Sequence, residues 1–380
     1  MVYLSNKEQL KDTFMTINNY IYIITALVLL VTVILLSKFK VPAKKRLRRL
    51  IITFGILAIV MFTLRVALFP SLSSVKSSGE YKYNSEVIQL NDQSRTETYK
   101  NDGRCRKLSV IVYYPNDAKV KANSCPLVVF SHGGISNKMS NVSLFKELAT
   151  HGFVVVSIDH PYHSLYTKID GKTIMIDSGY MKELQNEDSH SDIAASYQCY
   201  QKWMRIRTGD INFVIDTFIA ESSKTNNSFY SLVNCNKIGV IGHSLGGAAA
   251  LGIARQRSDI KAVIALESPY MCDITGFAGD EFTWNTEPYH CAIMNIYSDN
   301  GYPLIESDNK YVQNKNYLFN EANVEYYYVK GSNHFTLTDL VRKSPFMCSV
   351  IGGGYHRNGY ETLKFINEKS LAFFNKHLVN

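Results

Sequence analysis

Two long apolar runs stand at the front of the chain, and shorter ones recur beyond residue 85. The first goes from Ile17 to Leu36, and its part from Ile21 onward carries no charge. The second goes from Leu50 to Phe69 and stops at Pro70. Between them, Ser37–Arg49 holds Lys38, Lys40, Lys44, Lys45, Arg46, Arg48 and Arg49. About 20 apolar residues cross the hydrocarbon of a bilayer. The pattern therefore predicts a polar tail over 1–16, transmembrane helices over 17–36 and 50–69, and a basic loop over 37–49. Arg65, near the outer end of the second run, can snorkel to the headgroups. The positive-inside rule puts the loop in the cytoplasm and both termini outside. The expected location is the cell membrane, with the lipid bilayer as a partner and the large C-terminal part extracytoplasmic.

A serine-rich stretch over 70–84 reads as a linker. Beyond it the period changes. Strands are expected at Ser85–Leu90, Lys107–Tyr114, Pro126–Ser131, Phe153–Asp159, Lys237–Ile241, Ala262–Leu266, Cys291–Tyr297 and Val324–Val329. Several are unbroken Val/Ile/Leu/Phe runs, the mark of strands covered on both faces. Helices are expected at Val142–Thr150, Ile193–Ala220, Leu245–Gln256 and Glu361–Leu378. Strands alternating with helices give an α/β fold, a mostly parallel sheet with helices on both faces, here one domain over 85–380. Its early strands lack intervening helices and suit an antiparallel edge. The polar segment 161–191 follows a strand end, where open α/β sheets place their ligand crevice, and reads as a lid or a surface loop.

Charge narrows the partners. The net charge of +8 is the excess of residues 1–80, which hold eleven Lys/Arg against three Asp/Glu. The remaining 300 residues carry thirty of each sign, so the folded domain has no basic footprint for nucleic acid. The seven cysteines, at 105, 125, 199, 235, 272, 291 and 348, have no zinc-ligand spacing and read as isolated buried thiols.

The densest chemistry lies at Lys237–Ala250, where an apolar run ends in Gly242-His243-Ser244-Leu245-Gly246 and a small-residue helix follows. A G-x-S-x-G turn between strand and helix is a nucleophile elbow, which forces its serine into a strained conformation with the hydroxyl outward. Serine needs a general base and an acid that orients the base. His334, in the loop after the last expected strand, is the expected base. His290 precedes its strand, His377 rides the last helix, and His356 follows a glycine run. His160 and His163 lack a third ligand of obvious spacing, so no metal and no cofactor are expected. For the acid, Glu267 and Asp299 both follow strands and both fit the order serine, acid, histidine. The run Phe130-Ser131-His132-Gly133-Gly134 offers an oxyanion loop, with the N–H groups of Gly134 and Leu245 as donors.

These residues resemble a known family. From about Val87 onward the chain is similar to α/β-hydrolases of the platelet-activating-factor acetylhydrolase type. The resemblance rests on Lys107–Pro115, Phe130–Gly133, Trp203–Asp216, Gly242–Gly247 and Gly331–His334 with Asp339. It implies nucleophile, acid and base at Ser244, Glu267 and His334, and oxyanion donors at Gly134 and Leu245. The family's acid is normally aspartate, so glutamate at 267 is a departure that leaves Asp299 in contention. The implied activity is calcium-independent hydrolysis of carboxylic esters, short-acyl or oxidised phospholipids among them. Acyl transfer or peptide cleavage by the same triad, and a non-catalytic binding protein of this fold, are the alternatives.

Overall fold

The computed structural model describes residues 46–224, 229–320 and 324–380. They divide into two compact units. One comprises the described residues up to Ser74 with Gly331–Thr362, and the other Val75–Lys330 with Leu363–Asn380.

The larger unit is built on eight strands: β1 (Tyr83–Thr96), β2 (Cys105–Pro115), β3 (Cys125–Ser131), β4 (Val154–Asp159), β5 (Val233–His243), β6 (Ile260–Leu266), β7 (Ala292–Tyr297) and β8 (Val324–Tyr328). They form one sheet in the order β1-β2-β4-β3-β5-β6-β7-β8. The pairs β1/β2 and β2/β4 are antiparallel, and every later pair is parallel. All eight strand expectations fall on this sheet, with the antiparallel edge where helices were lacking. Every residue of β3 and β4 is buried, which explains their unbroken apolar runs.

Of the helices, α1 (Arg46–Leu68) belongs to the smaller unit, and α2 (Val142–Thr150), α3 (Ser178–Asn186), α4 (Ile193–Ser222) and α5 (Leu245–Gln256) to the larger. In the larger unit α4 turns Trp203, Arg207, Asp210, Ile211, Val214 and Phe218 inward. Helix α5 packs so close to the sheet that a Cβ on Gly246 would stand 2.1 Å from the Ser131 carbonyl oxygen. The segment 161–191 is not structureless. It forms a hairpin, Tyr166–Ile169 with Lys172–Met175, followed by α3. Asp177 caps α3, accepting from the N–H groups of Gly179 and Tyr180 at 2.8 and 3.0 Å.

The amino-terminal expectation is corrected. The first apolar run, Ile17–Leu36, and most of the basic segment lie outside the described residues. The second run lies in α1, yet among the described residues no helix is long and apolar enough to cross a membrane. Helix α1 takes in Arg46, Arg48 and Arg49 at its start and Arg65 in its last turn. The uncharged part, Leu50–Leu64, spans about 22 Å at 1.5 Å per residue, short of a hydrocarbon core of about 30 Å. Val60 and Ala67 are buried against protein, and the Ser344 hydroxyl of the same unit donates to the Leu68 carbonyl. This overturns the expected two-span membrane protein, and with it the placement of the large domain outside the cytoplasm.

Candidate active site

Ser244 stands between β5 and α5 with φ 54° and ψ −128°, a conformation that costs an L-residue about 1–3 kcal/mol. The surroundings hold it there. Its N–H donates to the Leu266 carbonyl at 2.8 Å. Its carbonyl accepts from the Gly247 N–H at 2.8 Å and from the Ser268 hydroxyl at 2.7 Å. A Cβ on Gly242 would lie 2.1 Å from the Gly246 carbonyl oxygen, so only glycine closes the turn. Ser244 is half-buried, whereas Gly242, His243 and Leu245 are buried, so the serine is what the turn presents.

Glu267, at the end of β6, shares the positive φ, at 52°. Its carboxylate is buried, and one oxygen accepts from the Ser298 N–H at 2.6 Å. Room for it depends on Gly301, where a Cβ would stand 2.6 Å from the Glu267 Cγ. Asp299 is exposed, and it accepts from the Tyr328 hydroxyl at 2.7 Å.

His334 belongs to the smaller unit. It opens a short 3₁₀ turn, His334–Leu337, whose N-cap is Asn333. The Asn333 carboxamide oxygen accepts from the N–H groups of Phe335 and Thr336, at 3.1 and 2.9 Å. Its nitrogen donates to the carbonyls of Cys348 and Gly354, at 3.1 and 2.9 Å. Buried Asn333 thus fastens the turn that carries the half-buried imidazole. His290 and His356 are exposed, and His377 lies in the last helical segment.

The expected oxyanion loop, residues 132–134, leaves β3 beside the turn at Ser244. A Cβ on Gly133 would lie 3.4 Å from the Ser244 Cβ. Among the described residues, no acceptor takes the N–H of Gly134 or that of Leu245, the first residue of α5. An unengaged amide at a helix N-terminus, as at Leu245, suits developing negative charge.

Below the loop lies a layer that the sequence did not announce. The Ser131 hydroxyl meets His160 Nε2 at 2.8 Å, and His160 Nδ1 meets Asp210 at 2.9 Å. This is a Ser–His–Asp chain, but all three side chains are fully buried. Asp210 also accepts two bonds of 2.6 Å from Arg106. Burial pushes the His160 imidazole down to about 4 against the pull of Asp210, and burial likewise lowers His132 and His163 well below the usual range. These histidines are neutral hydrogen-bonding groups of the interior. In the sequence the H-x-x-H spacing of His160 and His163 marks two members of that layer without showing their partners. All seven cysteines are free thiols, and burial raises those of Cys125 and Cys291 to about 11.

The mostly parallel eight-stranded sheet in this strand order is that of the α/β-hydrolase fold. The chain belongs to the platelet-activating factor acetylhydrolase, isoform II family, whose model matches residues 107–380. It is 28% identical over 162 residues to platelet-activating factor acetylhydrolase from Canis lupus familiaris, covering 38% of this chain and 35% of that protein. It is 26% identical over 155 residues to cutinase 1 from Thermobifida cellulosilytica, covering 41% of this chain and 42% of that protein. The chain thus spans about two fifths of the length of the curated relatives it matches. Among solved structures, a ferulic acid esterase from Streptomyces cinnamoneus matches with a TM-score of 0.58 and 18% identity. That match covers 81% of this chain and 93% of the esterase, a likeness of fold.

Proposed function

We propose that the protein is a carboxylic ester hydrolase with Ser244 as nucleophile, His334 as general base and Glu267 as the acid that orients the base. The observation that carries this reading is the strained, half-buried Ser244 at the strand–helix turn, followed by the Leu245 N–H, which no acceptor takes among the described residues. In the reaction, the Ser244 hydroxyl adds to the ester carbonyl as its proton passes to His334. The N–H groups of Gly134 and Leu245 take the negative charge on the carbonyl oxygen, each such donor being worth on the order of 3 kcal/mol of barrier. Collapse expels the alcohol, which leaves with the proton from His334. Water then cleaves the acyl-enzyme by the same steps. Glu267 is supported as the acid by its burial and its fixed carboxylate, in contrast to exposed Asp299.

Family membership supports short-acyl phospholipid esters as substrates, because the family is described by acetyl hydrolysis on such a lipid. An organofluorophosphate label followed by peptide mass analysis tests the nucleophile. A single adduct on Ser244 is expected, and an adduct on another serine with Ser244 unmodified would refute the assignment. Acetate should be released from a 2-acetyl phospholipid faster than palmitate from its 2-palmitoyl counterpart. The reverse order would remove the substrate class and leave the chemistry in place.

A further inference from the structure

Three successive carbonyls of the oxyanion loop accept hydrogen bonds from α3 and α4, and that of Gly133 also meets His132 Nδ1 at 2.7 Å. Arg207, on α4, donates through one terminal nitrogen to the His132 carbonyl and through the other to the Gly133 carbonyl, the latter at 3.2 Å. The Tyr180 hydroxyl, on α3, donates to the Gly134 carbonyl at 3.1 Å. Both donors are themselves fixed. The Arg207 Nε donates to His163 Nδ1 at 3.3 Å, and the His163 ring stacks on Tyr180 at 3.8 Å with 2° between the planes. The far side of His163 is held by the Tyr99 hydroxyl at 2.8 Å from Nε2.

A trans peptide is planar, with its C=O and the following N–H pointing in opposite directions, and this chain has no cis bond among its described residues. Carbonyls that accept from donors on α3 and α4 therefore aim the N–H groups of Gly133, Gly134 and Ile135 away from those helices. Arg207 is fully buried, and among the described residues no carboxylate forms an ion pair with it. An unpaired buried cation is costly, and a neutral side chain of similar length would fill the same space without that cost. What the cation adds is electrostatic. A guanidinium bonded to a peptide carbonyl polarises the peptide and makes its N–H a stronger donor.

We infer that Arg207 is the positioning residue of the oxyanion hole, holding the His132 and Gly133 carbonyls so that the Gly134 N–H is preset for the oxyanion, with Tyr180 as its second clamp. The inference rests on the ester-hydrolase reading. Arg207 touches no reacting atom and acts through the loop.

The test compares wild type with Arg207→Met, Arg207→Lys and Tyr180→Phe on p-nitrophenyl acetate, with the thermal midpoint of each as a control for folding. Each is also titrated with a trifluoromethyl ketone, whose serine adduct carries an oxyanion, and with the corresponding alcohol, which cannot form one. Folded Arg207→Met is expected to lose on the order of 100-fold in kcat with KM nearly unchanged. Its affinity for the ketone should fall in proportion, while that for the alcohol holds. Arg207→Lys, which keeps the charge without the fork, should recover part of the loss, and Tyr180→Phe should lose about tenfold. A folded Arg207→Met with wild-type kcat overturns the inference, as does equal weakening of ketone and alcohol. If Arg207→Met does not fold, Tyr180→Phe decides: unchanged kcat and unchanged ketone affinity overturn it. Loss of activity in Ser244→Ala beside full activity in Arg207→Met sinks this inference alone. A Ser244→Ala variant as active as wild type sinks the hydrolase reading beneath it.

Discussion

At the scale of single residues, strain and burial separate groups that the sequence leaves equal. Glu267 and Asp299 both follow strands, and spacing alone does not rank them. The structure gives Glu267 a positive φ, a buried carboxylate and a glycine neighbour that makes room for it, and gives Asp299 an exposed place beside Tyr328. Replacing Glu267 by Gln should lower kcat on an ester substrate on the order of 1000-fold, because an amide no longer holds the protonated imidazole. Asp299→Asn should stay within about threefold of wild type. Steady-state kinetics of the two variants check this, and collapse of Asp299→Asn alone would reverse the assignment. Ser244 was legible in the sequence because its turn has a local signature. Arg207 was not, because a side chain that acts on a loop 75 residues away leaves no spacing to read.

At the scale of elements, the sheet was legible because continuous apolar runs belong to strands buried on both faces. The hairpin over Tyr166–Met175 was missed, since four-residue strands with exposed polar positions have no period to detect. The chain's second apolar run was misread for a different reason. Its hydropathy resembles a span, but the helix that forms begins among arginines, and part of its apolar surface packs on its own unit. The approach of α5 to β3 depends on Gly246, where a methyl group would collide with backbone that cannot retreat. Gly246→Ala should therefore cost about 3 kcal/mol or more of stability, read from the urea midpoint. A change within about 0.5 kcal/mol would mean that helix and strand separate freely.

At the scale of the whole molecule, the buried histidines make stability depend on pH. An unfolded imidazole takes up a proton near pH 6.5, whereas folded His160 does so only near about 4. The unfolded state therefore binds more protons between those values, and stability present above pH 6.5 is lost as the pH falls toward 4. At pH 5 His160 alone should remove on the order of 2 kcal/mol, with His132 and His163 acting in the same direction. Urea midpoints at pH 7.5 and 5.0 check this, and equal midpoints would mean that these histidines are not buried neutral. None of this was visible in the composition, because ten histidines look alike until their partners are known. The central claim is that Ser244 is the nucleophile of an ester hydrolase. Its most direct test is the rate of p-nitrophenyl acetate hydrolysis by the wild-type protein and by Ser244→Ala. A loss of roughly 10⁴-fold or more in kcat is expected, and equal rates would contradict the account.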